Sequence, residues 1–560
     1  MTTTDTPGAA PLMRSTRAHV FPTLTSKQVA RLAAQGRERR MSQGEVLIEA
    51  GDTNVPFLVV TEGQIEIIRP SGALASVITV HGPGEFTGET NMLSGRRTLV
   101  RARARSAGAA IELSREQLLS VVQTDSELSE ILMRAFILRR VELIARGMGD
   151  VVLVGSTHSP DTLRIKEFLS RNGHPYAYID LEAEPDLQLL LDRFDVSVTE
   201  VPVLICRGEV ALRNPSNQKI AECLGFNEAI DQTHIRDVVI IGAGPSGLAA
   251  AVYAASEGLD VLVVESNAPG GQAASSSRIE NYLGFPTGIS GQDLAGRAFT
   301  QAEKFGAQVL IAKVATELTC ERKPFGITID GGHTLAARTV IIATGAEYRR
   351  LPLENLGQFE GCGVYYGATS IEAQLCGDSE VVVVGGGNSA GQAAVFLAQT
   401  AKRVRMLVRS SGLAESMSRY LIRRIEENPA IELCPHSEIV ALEGNGRLER
   451  MQWRNTSSGN IETTDMNHIF VMTGAVPNTR WLNGCIALDA KGFIKTGTDL
   501  SPEDLAAAHW PLGRTPHLLE TSLPGVFAVG DVRCGNIKRV ASAVGEGSIA
   551  VSFVHKALLE

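Results

Sequence analysis

The chain has 560 residues, 44% hydrophobic and 21% charged, a length that favours three or four domains over a single core. Its formal charge of −9 argues against nucleic acid or an anionic membrane as the main partner. Eight scattered cysteines, no two in a C-x-x-C, fit neither a secreted disulfide framework nor a zinc site, so a cytoplasmic protein with reduced thiols is expected.

Residues 1–15 are Thr/Pro-rich, lack the apolar stretch of a signal peptide and are expected to be a disordered tail. From 16 to 148 short strands alternate with glycine turns. Gly44–Ile48 and Gly63–Ile68 read as half-buried strands, and Gly51, Gly84, Gly88 and Gly95 as turns. A helical apolar pattern then runs from Arg115 to Ile144, which together predicts a small β-barrel or jelly roll followed by helices. Residues 149–230 read as a β-α-β unit: strand Val151–Val154, helix Asp161–Arg171 and strand Ala177–Asp180. A helix at 186–194 and the strand Val201–Ile205 follow. From 235 onward strands and helices alternate as in parallel α/β sheets. The longest apolar stretch, Val238 to Ala255, is broken by glycines, so no membrane span is expected.

Two turns carry chemistry. Strand Asp237–Ile241 enters Gly242-Ala243-Gly244-Pro245-Ser246-Gly247 and a helix follows. Gly242 permits the tight turn, Gly244 lets backbone approach a pyrophosphate, and Gly247 allows close helix–sheet packing. The helix N-terminus then offers free N–H groups to phosphate. Glu265 ends the next strand, where a carboxylate can accept hydrogen bonds from ribose hydroxyls. Val381–Val384 enter a second such turn containing Gly385, Gly387, Asn388 and Ser389. Its next strand ends in Arg409-Ser410 rather than an acid, which favours NADPH over NADH. Two such sites suggest one bound flavin and one exchangeable nicotinamide nucleotide.

From Asp237 the chain resembles the low-molecular-weight thioredoxin reductases over about 320 residues, through GAGPSG at 242, PGGQ at 269, ENYLGFP at 280, ATGA at 343, GGGNSA at 385 and GVFAVGDV at 525. The resemblance implies FAD at Gly242, Gly244, Pro245, Ser246, Gly247 and Glu265, with Gly271, Gln272, Asn281 and Gly345 nearby. It also implies Gly530 and Asp531 at the ribityl and pyrophosphate, and Lys538, Arg539 and Val540 at the isoalloxazine end. The implied FAD domain is discontinuous, 235–346 plus 476–560, around an inserted NAD(P) domain at 347–475, and a homodimer is implied as well. Where the family carries C-A-x-C, this chain reads Gly367-Ala368-Thr369-Ser370. A hydroxyl cannot take electrons as a disulfide does, so thioredoxin reduction by that route is excluded. Cys362 and Cys376 flank the position and read as inert thiols. Of the family's residues around the 2′-phosphate, the counterparts are Val408, Arg409, Ser410 and Ala414, and only Arg409 survives. Each lost charged hydrogen bond weakens binding by about 1.5–3 kcal/mol. Arg419 is placed to compensate.

Residues 149–230 resemble thioredoxin or glutaredoxin, with Pro202 expected in cis and Ser156-Thr157-His158-Ser159 where C-x-x-C belongs, and read as a docking module without dithiol chemistry. Residues 21–145 resemble the cyclic-nucleotide-binding domains of bacterial regulators, with Gly88 and Glu89 followed by Arg96 and Arg97 as the phosphate cassette. The expected fold is therefore multidomain: a β-barrel or jelly roll plus helices, a thioredoxin-like α/β domain, then two Rossmann-like three-layer α/β domains. The expected function is hydride transfer from NADPH to bound FAD and on to an acceptor other than an internal dithiol, with no side chain assigned as acid, base or nucleophile. The acceptor is open among quinones, a ferredoxin-like protein and oxygen. Two alternatives stand beside it: a nucleotide- and redox-responsive sensor with little turnover, and an atypical disulfide reductase.

Overall fold

The computed structural model describes residues 17–69, 76–147, 149–157, 159–181, 200–321, 323–482 and 484–560. The tail at 1–15, His158 and the helix expected at 186–194 lie outside them. Two compact units divide the chain. The first comprises 1–155, 173–231 and 300–312, and the second 156–172, 232–299 and 313–560.

In the first unit, strands Arg37–Met41, Gly108–Leu113 and Phe57–Glu62 form one antiparallel sheet. Val46–Ile48, Arg101–Ala104, Ile65–Arg69 and Ser76–His81 form another. Phe57, Phe86 and Phe136 meet at ring distances of 5.6–6.2 Å in the core. One expectation needs correction here. Ile65–Ile68 is buried at every position rather than alternating, because Glu66 on its polar face is covered by Arg103 at 2.6 Å. The helical pattern over Arg115–Ile144 is carried by two helices, Arg115–Thr124 and Ser126–Ala145, because the Asp125 carboxylate accepts from Leu128 N at 3.0 Å and starts a new helix. The unit's other sheet runs Val210–Arg213, Val203–Cys206, Val151–Gly155, Ala177–Asp180, with the last two parallel and the others antiparallel. The Val201–Pro202 bond is cis.

In the second unit, strands Val261–Glu265, Ile235–Ile241 and His333–Ile342 lie parallel, and Val526–Ala528 adds in parallel to His333–Ile342. Residues far apart in sequence thus share one sheet. A second parallel sheet has the order Val364–Tyr365, Ile469–Val471, Glu380–Val384, Arg403–Leu407, Ile431–Cys434. The chain crosses between the two sheets through an antiparallel ribbon, Ala346–Tyr348 against Ala475–Pro477. Helix Pro160–Arg171 packs on both regions of this unit. Leu163 joins the core of the second sheet, while Arg171 Nη2 donates to Gly271 O at 2.8 Å beside the first. Midway along the same helix, the Glu167 carboxyl lies close to that of Glu372.

The expectation of reduced thiols throughout is corrected: Cys320 and Cys485 are joined in a disulfide, their Cα atoms 5.9 Å apart across a sequence separation of 165. The fold brings them together from the two ends of the discontinuous segment. Among the described residues, no helix is long and apolar enough to cross a membrane and no cluster of His, Cys, Asp or Glu suits a metal ion.

Candidate functional site

Strand Ile235–Ile241 ends at Gly242, which turns with φ 104°. A Cβ there would stand 2.3 Å from Ala343 O, so only glycine fits. Gly247 is equally constrained, since a Cβ would lie 1.9 Å from Gly242 O, where helix Pro245–Ser256 meets the turn. Gly244, the cap of that helix, is different. Its nearest neighbour would be Gly271 Cα at 4.0 Å, leaving open space before free helical N–H groups. The fold therefore demands Gly242 and Gly247, whereas Gly244 leaves room for a phosphate.

Around this cradle the structure gathers residues from the end of the chain. Gly530 has φ 73°, and a Cβ on it would approach Ser246 Oγ to 2.5 Å. Helix Val540–Leu559 lies against helix Pro245–Ser256 at Gly547, where a Cβ would stand 2.1 Å from Ser246 O. Asp531 lies beside Asn536 Nδ2 at 3.4 Å and Lys538 Nζ at 3.3 Å, while Arg539 caps the helix that Val540 begins. Gln272 Nε2 donates to Ala346 O at 2.5 Å, Gly345 turns with φ 63°, and Asn281 is exposed. These residues fit a dinucleotide with a flavin: the glycines leave a cradle for its pyrophosphate that side chains would fill.

The buried Glu265 carboxylate accepts from Ala243 N at 2.7 Å and from Asn267 N at 2.8 Å, one bond to each oxygen, and burial raises its pKa. In this structure it braces the phosphate turn.

At the second turn, Gly385 has φ 141° and a Cβ would meet Met472 O at 2.5 Å, whereas Gly387, capping helix Asn388–Leu397, has nothing within 4 Å. Asn388 Oδ1 accepts from Ser418 N at 2.7 Å. Arg409, Ser410 and Arg419 are exposed beyond strand Arg403–Leu407, and Ser410 Oγ donates to Gly412 O at 2.7 Å. Segment Gly367–Ser370 pairs onto the loop near Gly271 through a Ser276–Ala368 bridge. Burial raises the pKa of the flanking Cys362 and pushes Cys376 up to about 12.

Sequence reading missed four residues here, all recruited across the fold. Glu546 accepts from Gly530 N at 2.6 Å and pairs with Arg533 at 2.7 Å. Tyr348 lies near Ser389 and feels the Asp531 charge; burial raises its pKa. Asn478 and Thr344 bond reciprocally at 2.9 and 3.0 Å beside the ribbon. The only local signal was the motif neighbourhood of each.

The first unit holds a separate, mostly apolar cavity lined in part by His81, Gly88, Glu89, Arg96 and Arg139. Gly88 is fixed by φ 103°, and a Cβ would strike Met92 Sδ at 2.1 Å. Glu89 pairs with Arg140 at 3.4 Å, and Arg96 stands 3.8 Å from Glu303. Arg97 departs from the expected cassette: its Nη1 donates to Cys223 O at 2.9 Å, and it does not line the cavity. Arg139, unforeseen in the sequence, supplies a cation instead. It donates to Phe86 O and Gly88 O, burial lowers its pKa to about 9, and its Nη2 has no partner among the described residues.

The paired turns and their flanking sheets define a protein with two Rossmann-type folds. Residues 236–547 match the family of pyridine nucleotide-disulphide oxidoreductases, and residues 38–125 match the cyclic nucleotide-binding domain. The chain belongs to the pyridine nucleotide-disulphide oxidoreductases and carries a cyclic nucleotide-binding domain ahead of that region. It is 32% identical to a thioredoxin reductase of Ureaplasma parvum over 57% of this chain and 96% of that protein. To a thioredoxin reductase of Bacillus subtilis it is 31% identical, over 58% and 95% respectively. Solved thioredoxin reductases from Lactococcus lactis (TM-score 0.52, 26% identity) and T. acidophilum (0.51, 27%) each cover 58% of this chain and 99% of their own.

Proposed function

We propose that this chain is an NADPH-dependent FAD oxidoreductase that delivers electrons to an acceptor other than an internal dithiol. The observation that carries the reading is the pair of cradles, in which Gly244 and Gly387 alone among the turn glycines named above leave free space before a helix N-terminus. FAD is assigned to Gly242, Gly244, Pro245, Ser246, Gly247, Gly271, Gly530 and Asp531, with Glu265 bracing the turn. NADPH is assigned to Gly385, Gly387, Asn388 and Ser389, with Arg409 and Arg419 for the 2′-phosphate. The ribbon Ala346–Tyr348/Ala475–Pro477 supports domain limits of 235–346 plus 476–560 for FAD and 347–475 for NADPH. When bound, a flavin supplies hydride acceptance and electron delivery, which the protein's side chains lack. The chain's own residues orient: helix N-termini hold phosphates, and Tyr348 lies near Ser389 of the second turn. Ser370 stands where the related reductases keep a cysteine, so electrons leave by another route.

The test is anaerobic addition of NADPH, then NADH, to purified protein while flavin absorbance is followed. Rapid bleaching by NADPH supports the reading; a flavin left oxidised by both sinks it and leaves a sensor. The strand order of 151–213 and the cis Pro202 support a thioredoxin-like middle domain. The cavity beside Glu89, Arg96 and Arg139 is proposed as the site of a cyclic-nucleotide effector. Calorimetry with cAMP and cGMP tests it, and heat-silent titrations with both would leave the barrel as an interface.

A further inference from the structure

Residues 88–98 wall part of the first-unit cavity, and later segments of the chain engage each of their charged side chains. Arg140 Nη1 donates to Glu89 at 3.4 Å while its Nε donates to Gly173 O at 2.9 Å. Arg97 Nη1 donates to Cys223 O at 2.9 Å. A Cβ on Gly225 would stand 2.6 Å from Arg97 Nε, so this side chain lies directly against the end of helix Asn217–Leu224. Arg96, which does line the cavity, stands 5.6 Å from the Phe226 ring centre and 3.8 Å from the Glu303 carboxylate, in the last turn of helix Gly291–Lys304. Two further contacts fix these segments. Arg115 donates to Leu93 O at 2.9 Å and to Glu228 at 2.8 Å, and the Asn227 side chain bonds both backbone groups of Ile311 at 2.7 and 2.8 Å.

The two arginines of this stretch, the groups an anion would seek, are thus already engaged, and the one in the cavity wall faces a carboxylate. Arg96 and Glu303 are only 10% and 6% exposed, so salt screens their attraction little. An anion entering beside Arg96 is drawn by the guanidinium and opposed by Glu303 and Glu89. We propose that the Arg96–Glu303 pair is a latch: the phosphate of a cyclic nucleotide in the cavity competes with Glu303 for Arg96, so effector binding loosens the last turn of helix Gly291–Lys304 from residues 88–98. The proposal rests on the effector reading of the cavity and adds its regulation. Glu303 falls within the 235–346 segment assigned to FAD, so the latch makes occupancy of the barrel felt in that segment. Linkage makes the effect reciprocal: weakening the Glu303 contact tightens effector binding by the same factor that effector binding weakens the contact.

Calorimetry of the full-length wild type and of Glu303→Gln with cAMP and cGMP tests it. Glu303→Gln keeps the shape of the side chain and removes the competing charge, and it should bind the preferred nucleotide about tenfold more tightly. Glu303→Asp keeps the charge and should bind more weakly than Glu303→Gln; equal tightening by both would mark general loosening and overturn the latch. In wild type, saturating nucleotide should speed hydrogen exchange of the amides at 300–304, a readout that needs no variant to fold. Wild-type affinity in folded Glu303→Gln, or unchanged exchange at 300–304, overturns the latch and leaves the effector reading standing. Silence of wild type and Glu303→Gln with both nucleotides overturns the two together. Flavin bleaching reads separately on the reductase assignment.

Discussion

The Gly530 amide donates to the Glu546 carboxylate at 2.6 Å, so the GD turn is held by a helix sixteen residues further on. The same carboxylate receives Arg533 at 2.7 Å. Glu546→Ala removes both contacts and should weaken FAD retention roughly ten-fold to a hundred-fold, as expected for a charged hydrogen bond of about 1.5–3 kcal/mol. Glu546→Gln keeps an acceptor for Gly530 and should recover part of the loss. Flavin absorbance after dialysis against graded FAD measures both.

Gly244 and Gly247 should separate binding from folding. Gly244→Ala meets no protein atom closer than about 4 Å and should leave apoprotein melting unchanged while flavin is lost. Gly247→Ala drives a methyl to 1.9 Å from Gly242 O and should lower the melting temperature as well. Equal melting shifts in the two variants would count against the cradle.

Arg409 and Arg419 are exposed and form no ion pair among the described residues. Replacing either by alanine should raise KM for NADPH about tenfold and leave KM for NADH unchanged, because only the former carries the 2′-phosphate. Steady-state rates with both nucleotides check the split.

Burial and the neighbouring Glu372 carboxyl push the Glu167 carboxyl up to about 9, against the lowering influence of Arg171. An unfolded carboxyl ionises near 4.5, so from there to about 9 the folded state holds the extra proton. Stability from this pair is therefore complete below about 4.5 and is lost as pH rises through about 9. Glu167→Gln keeps a donor without the proton. Its melting temperature, relative to wild type, should rise with pH across that window.

Reducing Cys320–Cys485 opens a crosslink spanning 165 positions. The chain-entropy argument gives a loss of up to about 5 kcal/mol. Calorimetry of Cys320→Ser against wild type should show a lower melting temperature, and dithiothreitol should lower wild type but not the variant.

Features set by neighbours in sequence were legible before the structure. The roles read for Gly242, Gly244 and Gly247 follow from a strand, a turn and a helix in succession; the geometry shows the tight turn at Gly242, the close packing at Gly247 and open space at Gly244. The break at Asp125 was also local, an N-cap hidden inside an apolar repeat that continued on both sides. What escaped was contact across the fold. Glu546, Tyr348 and the Cys320–Cys485 pair carry no local pattern, since their partners arrive from distant strands and loops. Arg97 was misjudged for a related reason: the cassette spacing places it near a cavity, but the Cys223 carbonyl draws it elsewhere.

Helix Pro160–Arg171 is pinned at both ends within the second unit. Its first turn abuts Gly361 and its Leu163 is sunk in the core of the second sheet, while Arg171 is moored to Gly271 beside the first. The two-stranded ribbon, the Ser276–Ala368 bridge and the Arg424–Glu280 ion pair join the same two regions, so shifting one against the other would have to part several separated contacts together, this twelve-residue helix among them.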